Sequence, residues 1–125
     1  MGSVRVDLHR KERAYEEQFP MHTPEGVEVF LENLIYIQSR RLKGDLDASL
    51  LLLDFESTKN QAPLTKRERE VLYWRYEREF TEKETAKMLQ ISMKAVEEYS
   101  RRLVRKIADT VAVQEGYKNA APHTD

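Results

Sequence analysis

The chain has no cysteine, which excludes disulfides and thiolate-held metals and makes a reducing compartment the expectation. No apolar stretch approaches the roughly 20 residues that a membrane-spanning helix needs; the run Leu50-Leu51-Leu52-Leu53 is far too short. The histidines His9, His22 and His123 are scattered, with no second ligand at helical spacing, so no metal site is expected. No cationic-then-apolar segment opens the chain, so no secretory leader is expected and the cytoplasm is the expected location. Met1-Gly2-Ser3 reads as a cloning remnant and is set aside. There is no Ser-His-Asp set and no glycine-rich phosphate loop. Glu77, Glu79, Glu82 and Glu84 read as capping and surface charges, not as paired catalytic carboxylates. Neither an enzyme nor a cofactor is expected.

What is present is charge and helical patterning. Charged residues make up 34% of the 125 residues and apolar residues 40%, enough for one modest core with wide solvated faces. The net charge of −1 hides an uneven distribution: residues 63–107 carry 12 Lys and Arg against 8 Asp and Glu, whereas residues 1–62 carry 8 against 11. A basic middle points mildly to a polyanionic partner.

Residues 1–22 read as an N-terminal arm, with a helix over Leu8–Phe19 as the alternative to a loose segment; Pro20 stops it. Thr23-Pro24-Glu25 starts a helix, as N-cap, first-turn proline and first-turn acid. Val27, Phe30, Leu31, Leu34 and Ile35 then form one apolar stripe, widened by Tyr36, Ile37 and Leu42. Arg40, Arg41 and Lys43 suit the C-terminal end and Gly44 the residue beyond it. Asp45 caps a second helix, about Leu46 to Lys59, whose leucines surround it and demand partners on two sides. Residues 23–62 are thus expected to be a helical hairpin serving association, and Asn60-Gln61-Ala62-Pro63 a boundary.

Two capping boxes follow, Thr65/Glu68 and Thr81/Glu84, sixteen residues apart, marking two helix starts. Ser92 is placed to cap a third. Ala86, Leu89, Ile91, Val96 and Tyr99 occupy the positions expected where two short helices cross around a tight turn, the core of a helix-turn-helix. A helix entering the major groove shows its first residues to base edges and later ones to phosphates. Here the first turns carry Met93, Lys94, Glu97 and Glu98, and the basic residues Arg101, Arg102, Arg105 and Lys106 lie beyond; Thr81 and Lys83 are further candidate phosphate contacts. Trp74 and Tyr76 face different ways on the opening helix, one toward the core and one half exposed.

LTKREREVL followed by KETAKMLQISMKAVEEYSRRLVRKIA resembles the fourth conserved region of bacterial sigma factors, and is similarly close to the LuxR-type output domain. The resemblance covers about residues 64–108 and implies promoter binding through a unit of three or four helices. It implies base reading at Met93, Lys94, Glu97 and Glu98. Sigma factors typically have Arg-Glu at the first two positions and a basic residue followed by Gln at the last two, so this chain departs there. Gln90 stands where such turns usually have Gly, which implies strain in a left-handed conformation. Length and architecture together resemble small phage and prophage regulators of the ArpU type.

The expectation is therefore an all-α chain: arm 1–22, helical hairpin 23–62, helix-turn-helix domain 63–116 and tail 117–125. Its expected role is a DNA-binding transcription regulator with double-stranded DNA as partner and no membrane association. RNA polymerase, or a second copy meeting it through residues 27–55 or 107–113, is the candidate protein partner. Two alternatives stay open: a small terminase-like DNA-packaging adaptor, and a sigma-like module that binds polymerase without reading DNA.

Overall fold

The computed structural model describes residues 18–116. The expected helix Leu8–Phe19, apart from its last two residues, and the tail 117–125 lie outside the described residues. Six α-helices and one π-helical turn, with no strand among the described residues, make up the fold: α1 Pro24–Glu32, α2 Leu34–Leu42, α3 Leu46–Gln61, α4 Lys66–Val71 continued by the π turn Leu72–Glu77, α5 Glu82–Leu89 and α6 Met93–Gln114. None of these helices is long and apolar enough to cross a membrane.

Local chemistry sets most boundaries. Thr23 Oγ1 accepts from the Gly26 amide at 3.0 Å and donates to the Pro20 carbonyl at 2.9 Å, fixing the entry to α1. Gly26 is needed here, because a Cβ would run into the Pro20 carbonyl. That close approach seats Phe19, only 2% exposed, edge-on to Phe30 with ring centroids 5.8 Å apart. Asp45 caps α3 through the Ala48 amide at 3.1 Å. Before it, Gly44 takes φ +91° and the Asp45 amide reaches back to the Arg40 carbonyl at 3.0 Å, satisfying the end of α2.

The long helix expected from Pro24 is instead two. Asn33 leaves helical geometry (φ −108°, ψ 13°) while its Nδ2 donates to the Val29 carbonyl at 2.8 Å. A side chain that bonds the backbone a turn earlier competes with the helical ladder and bends it. The bend re-aims the stripe: Leu34 and Ile37 are buried, whereas Ile35 is 39% exposed.

Buried residues from the whole described chain form one contiguous cluster, from Phe19 to Ala108. Its axis is α6, where Leu103, Ile107 and Ala108 are fully buried and Val111 and Ala112 nearly so. Helices α1, α3, α4 and α5 all pack on α6. Each large apolar side chain so buried stabilises the fold by roughly 1.5–3 kcal/mol before entropy is counted. The valines of residues 107–113 thus find their partners within the chain at Val111, while Val113 stays 63% exposed.

Candidate nucleic-acid interface

Both capping boxes form as the spacing predicts. The Thr65 and Thr81 hydroxyls accept from the Glu68 and Glu84 amides at 3.2 and 3.0 Å, and each glutamate accepts from its threonine amide at 2.9 Å. Ser92 Oγ accepts from the Ala95 amide at 3.0 Å and so starts α6. Between α5 and α6 the chain turns at Gln90, which is left-handed (φ 59°, ψ 45°), and the Ile91 amide bonds the Ala86 carbonyl at 3.0 Å. This six-to-one bond closes a Schellman-type end that normally favours Gly. Val96 is fully buried and Ala86 nearly so. Leu89, Ile91 and Tyr99 are partly buried against the same core.

That packing divides α6 along its length. Its C-terminal half is anchored in the core, and Val96 and Leu103 hold the inner side of its N-terminal half. The outer side shows Met93, Lys94, Glu97, Arg101, Arg102 and Arg105, all exposed. These fall at helical spacing on one face, with the acidic and apolar residues first and the arginines after. Glu98, half exposed, lies 3.5 Å from Arg101 Nη2 and 3.9 Å from Arg102 Nη2. The Arg102 guanidinium also sits over the Tyr99 ring at 5.8 Å. On α5, Thr81 and Lys83 are exposed at the N-terminal end, and Lys87 joins them near its other end.

Lys106 departs from the rest of the basic group. Its Nζ donates to Glu68 Oε1 at 2.9 Å and to the Pro63 carbonyl at 3.2 Å. Glu68 is 1% exposed, so Lys106 neutralises a buried carboxylate that is already capping α4. Its ammonium is turned toward the core side of α6 and away from the arginine face. Sequence spacing alone put it with Arg105, because helix periodicity does not show a partner 38 residues away.

Two further contributors escape a reading by motif. Arg67 Nη1 bonds Glu70 at 2.9 Å and reaches the Leu89 carbonyl at 3.5 Å, tying the first helix of the pair to α4. The π turn Leu72–Glu77 ends with the Arg78 amide on the Tyr73 carbonyl at 2.8 Å and with Glu79 left-handed (φ 56°). It buries Leu72 and Tyr76 and leaves Trp74 half exposed against Phe80, the two rings 5.0 Å apart. Burial pushes the Tyr76 phenol above its ordinary pKa.

A tri-helical unit with two boxed helix starts, a left-handed turn and an outward basic helix face is now in view. Residues 62–109 match the family model for Sigma-70, region 4. The segment is a sigma region 4-like helix-turn-helix module. It is a DNA-binding type of module. No curated protein and no solved structure matches the chain.

Proposed function

We propose that the chain regulates transcription by sequence-specific binding of double-stranded DNA, with α6 of the sigma region 4-like module in the major groove. The observation that carries this reading is the exposed face from Met93 to Arg105 on a helix whose other half is anchored in the core. Lys94, Glu97 and Glu98 are the base-reading candidates: Lys can donate to guanine, and Glu can accept from the cytosine amine. Arg101, Arg102 and Arg105, with Thr81 and Lys83, are the phosphate contacts; Lys106 is left out because Glu68 holds it. RNA polymerase is the candidate protein partner, and a phage or prophage the candidate setting, from likeness of length and architecture to such regulators.

Replacing Arg101, Arg102 and Arg105 with Ala tests this. Each lost phosphate contact should flatten the dependence of log affinity on log salt by roughly 0.9. Unchanged affinity and slope would sink the DNA-binding reading. A second reading, a polymerase-binding module that does not read DNA, draws on the same face: Glu98 pairs with two of the arginines and Glu97 stands beside it. Duplex affinity that stays weak and indifferent to sequence would favour it.

A further inference from the structure

We propose that the outer leucine face of α3 pairs with the same face of a second copy, the two α3 helices running antiparallel about a two-fold axis. Helix α3 is apolar on opposite sides. Ala48, Leu52 and Phe55 are buried in the core, but Leu46, Leu50 and Leu53 point outward at 70%, 47% and 63% exposure. Those three lie at i, i+4 and i+7, one continuous stripe. Leu42, 82% exposed at the end of α2, lines one groove with Leu53. Four leucines left in water in one patch mark an association surface on a small chain.

The charges around the patch say which occupant fits. At the α2–α3 turn, Arg41 and Lys43 are exposed. Arg40 and Asp45 engage each other there at 3.6 Å, leaving Asp47 as the other acid, so this end is net positive. Farther along α3, Asp54 is exposed and Lys59 is shared between Glu56 at 2.9 Å and Glu77 at 3.0 Å, so that end is net negative. An isologous interface requires a surface that complements itself on rotation. Antiparallel α3 helices bring each positive end onto a negative end, with leucine on leucine between them; a parallel pairing would stack like on like. Thr58 Oγ1 donates to Gln114 Oε1 at 3.2 Å and so ties α3 to the end of α6. Pairing through α3 thereby holds two copies of α6 in a fixed relation. The pairing stands whether or not α6 reads DNA.

Sedimentation equilibrium of the full chain tests it. A concentration-dependent dimer is expected, weakened by about tenfold or more in Leu46→Gln/Leu50→Gln/Leu53→Gln. The thermal midpoint of that variant measured as a monomer should stay close to the parent, since these side chains are exposed. Lys43→Glu and Asp54→Lys should each weaken the dimer, and their combination should restore it. A chain monomeric at every concentration, a ring of more than two copies, a dimer indifferent to the leucine changes, or a charge exchange that fails to restore pairing would each overturn the proposal. Duplex binding by the monomeric variant, followed against salt, reports separately on α6.

Discussion

Replacing Lys106 with Met separates a strut from a phosphate contact, because the two roles lose different things. Methionine keeps most of the aliphatic stem and removes the ammonium. Glu68, 1% exposed, is then left with the Thr65 amide as its remaining described donor, at 2.9 Å. Stripping one partner from a fully buried ion pair costs about 3–5 kcal/mol. The Lys106 side chain is 33% exposed, so water screens part of this and a loss of about 2 kcal/mol is expected. That is a large fraction of the roughly 5–15 kcal/mol that holds a domain together. With a urea slope of about 1–3 kcal/mol per molar, the midpoint should fall by roughly 1 M. Adding Glu68→Gln removes the stranded charge, so the double variant should be more stable than the two single losses added together. The reasoning fails if Lys106→Met leaves the urea midpoint in place and instead flattens the salt dependence of duplex binding by one phosphate contact.

The remaining predictions concern the frame. Gln90→Gly should raise the thermal midpoint, because a left-handed non-glycine stores about 1 kcal/mol, which in a domain of this size is worth roughly 4–8 °C; an unchanged or lower midpoint would show that the turn is unstrained. Gly26→Ala should destabilise by about 1–3 kcal/mol, read in urea, since the new methyl must displace the Pro20 carbonyl and with it Phe19; a neutral effect would mean that the entry to α1 yields freely. Stability should decline in alkali. Burial lowers the Lys59 pKa, but hydrogen bonds and charges from Glu56 and Glu77 outweigh it and leave the net shift upward, while burial raises Tyr76. Both groups hold their protons more tightly folded than unfolded, so their contribution is complete below about pH 10 and disappears as pH climbs through the folded values. Lys59→Met with Tyr76→Phe should flatten that decline in urea midpoints measured against pH, and an equally steep fall would contradict the assignment.

How far the sequence could be read depended on the range of the interaction. Thr65 with Glu68, Thr81 with Glu84, Ser92, Asp45 and Gly44 act within one turn, and each does in the structure what its spacing predicts. Ala86 and Val96 were legible because two helices meeting at a tight turn admit few patterns of small and branched residues. Asn33 was not: Leu34, Ile35 and Ile37 fit an unbroken helix equally well, and the bend shows only once the Asn33 amide is seen on the Val29 carbonyl. The π turn has no sequence signature, since a single extra residue in a turn leaves the apolar pattern nearly intact. The Lys106 bond to Glu68 was hidden for the converse reason: its local spacing matches Arg105, and its partner lies 38 residues away. Of the interface itself, the outward set from Met93 to Arg105 could be listed from periodicity, whereas its division by Glu98 could not.

That division bears on how, on the proposed reading, a helix with Glu97 and Glu98 in its first turns binds a polyanion at all. Glu98 engages Arg101 and Arg102 at 3.5 and 3.9 Å, on side chains 57% and 59% exposed. Exposed pairs of this kind are worth about 0–1 kcal/mol. A phosphate offers the same guanidinium two oxygens in a geometry that matches its fork, and such charge-assisted pairs are stronger. On the proposed reading, duplex DNA therefore takes the arginines at little cost and leaves the Glu98 carboxylate without its partners inside the groove. A carboxylate in that position is repelled by the backbone unless a cytosine amine meets it. The arginines then supply affinity for any duplex and the glutamates withdraw it from most, which is how one helix face can be weakly basic and still selective. Removing Lys106 from the phosphate set sharpens the balance, since the affinity that remains to be gated rests on fewer cations.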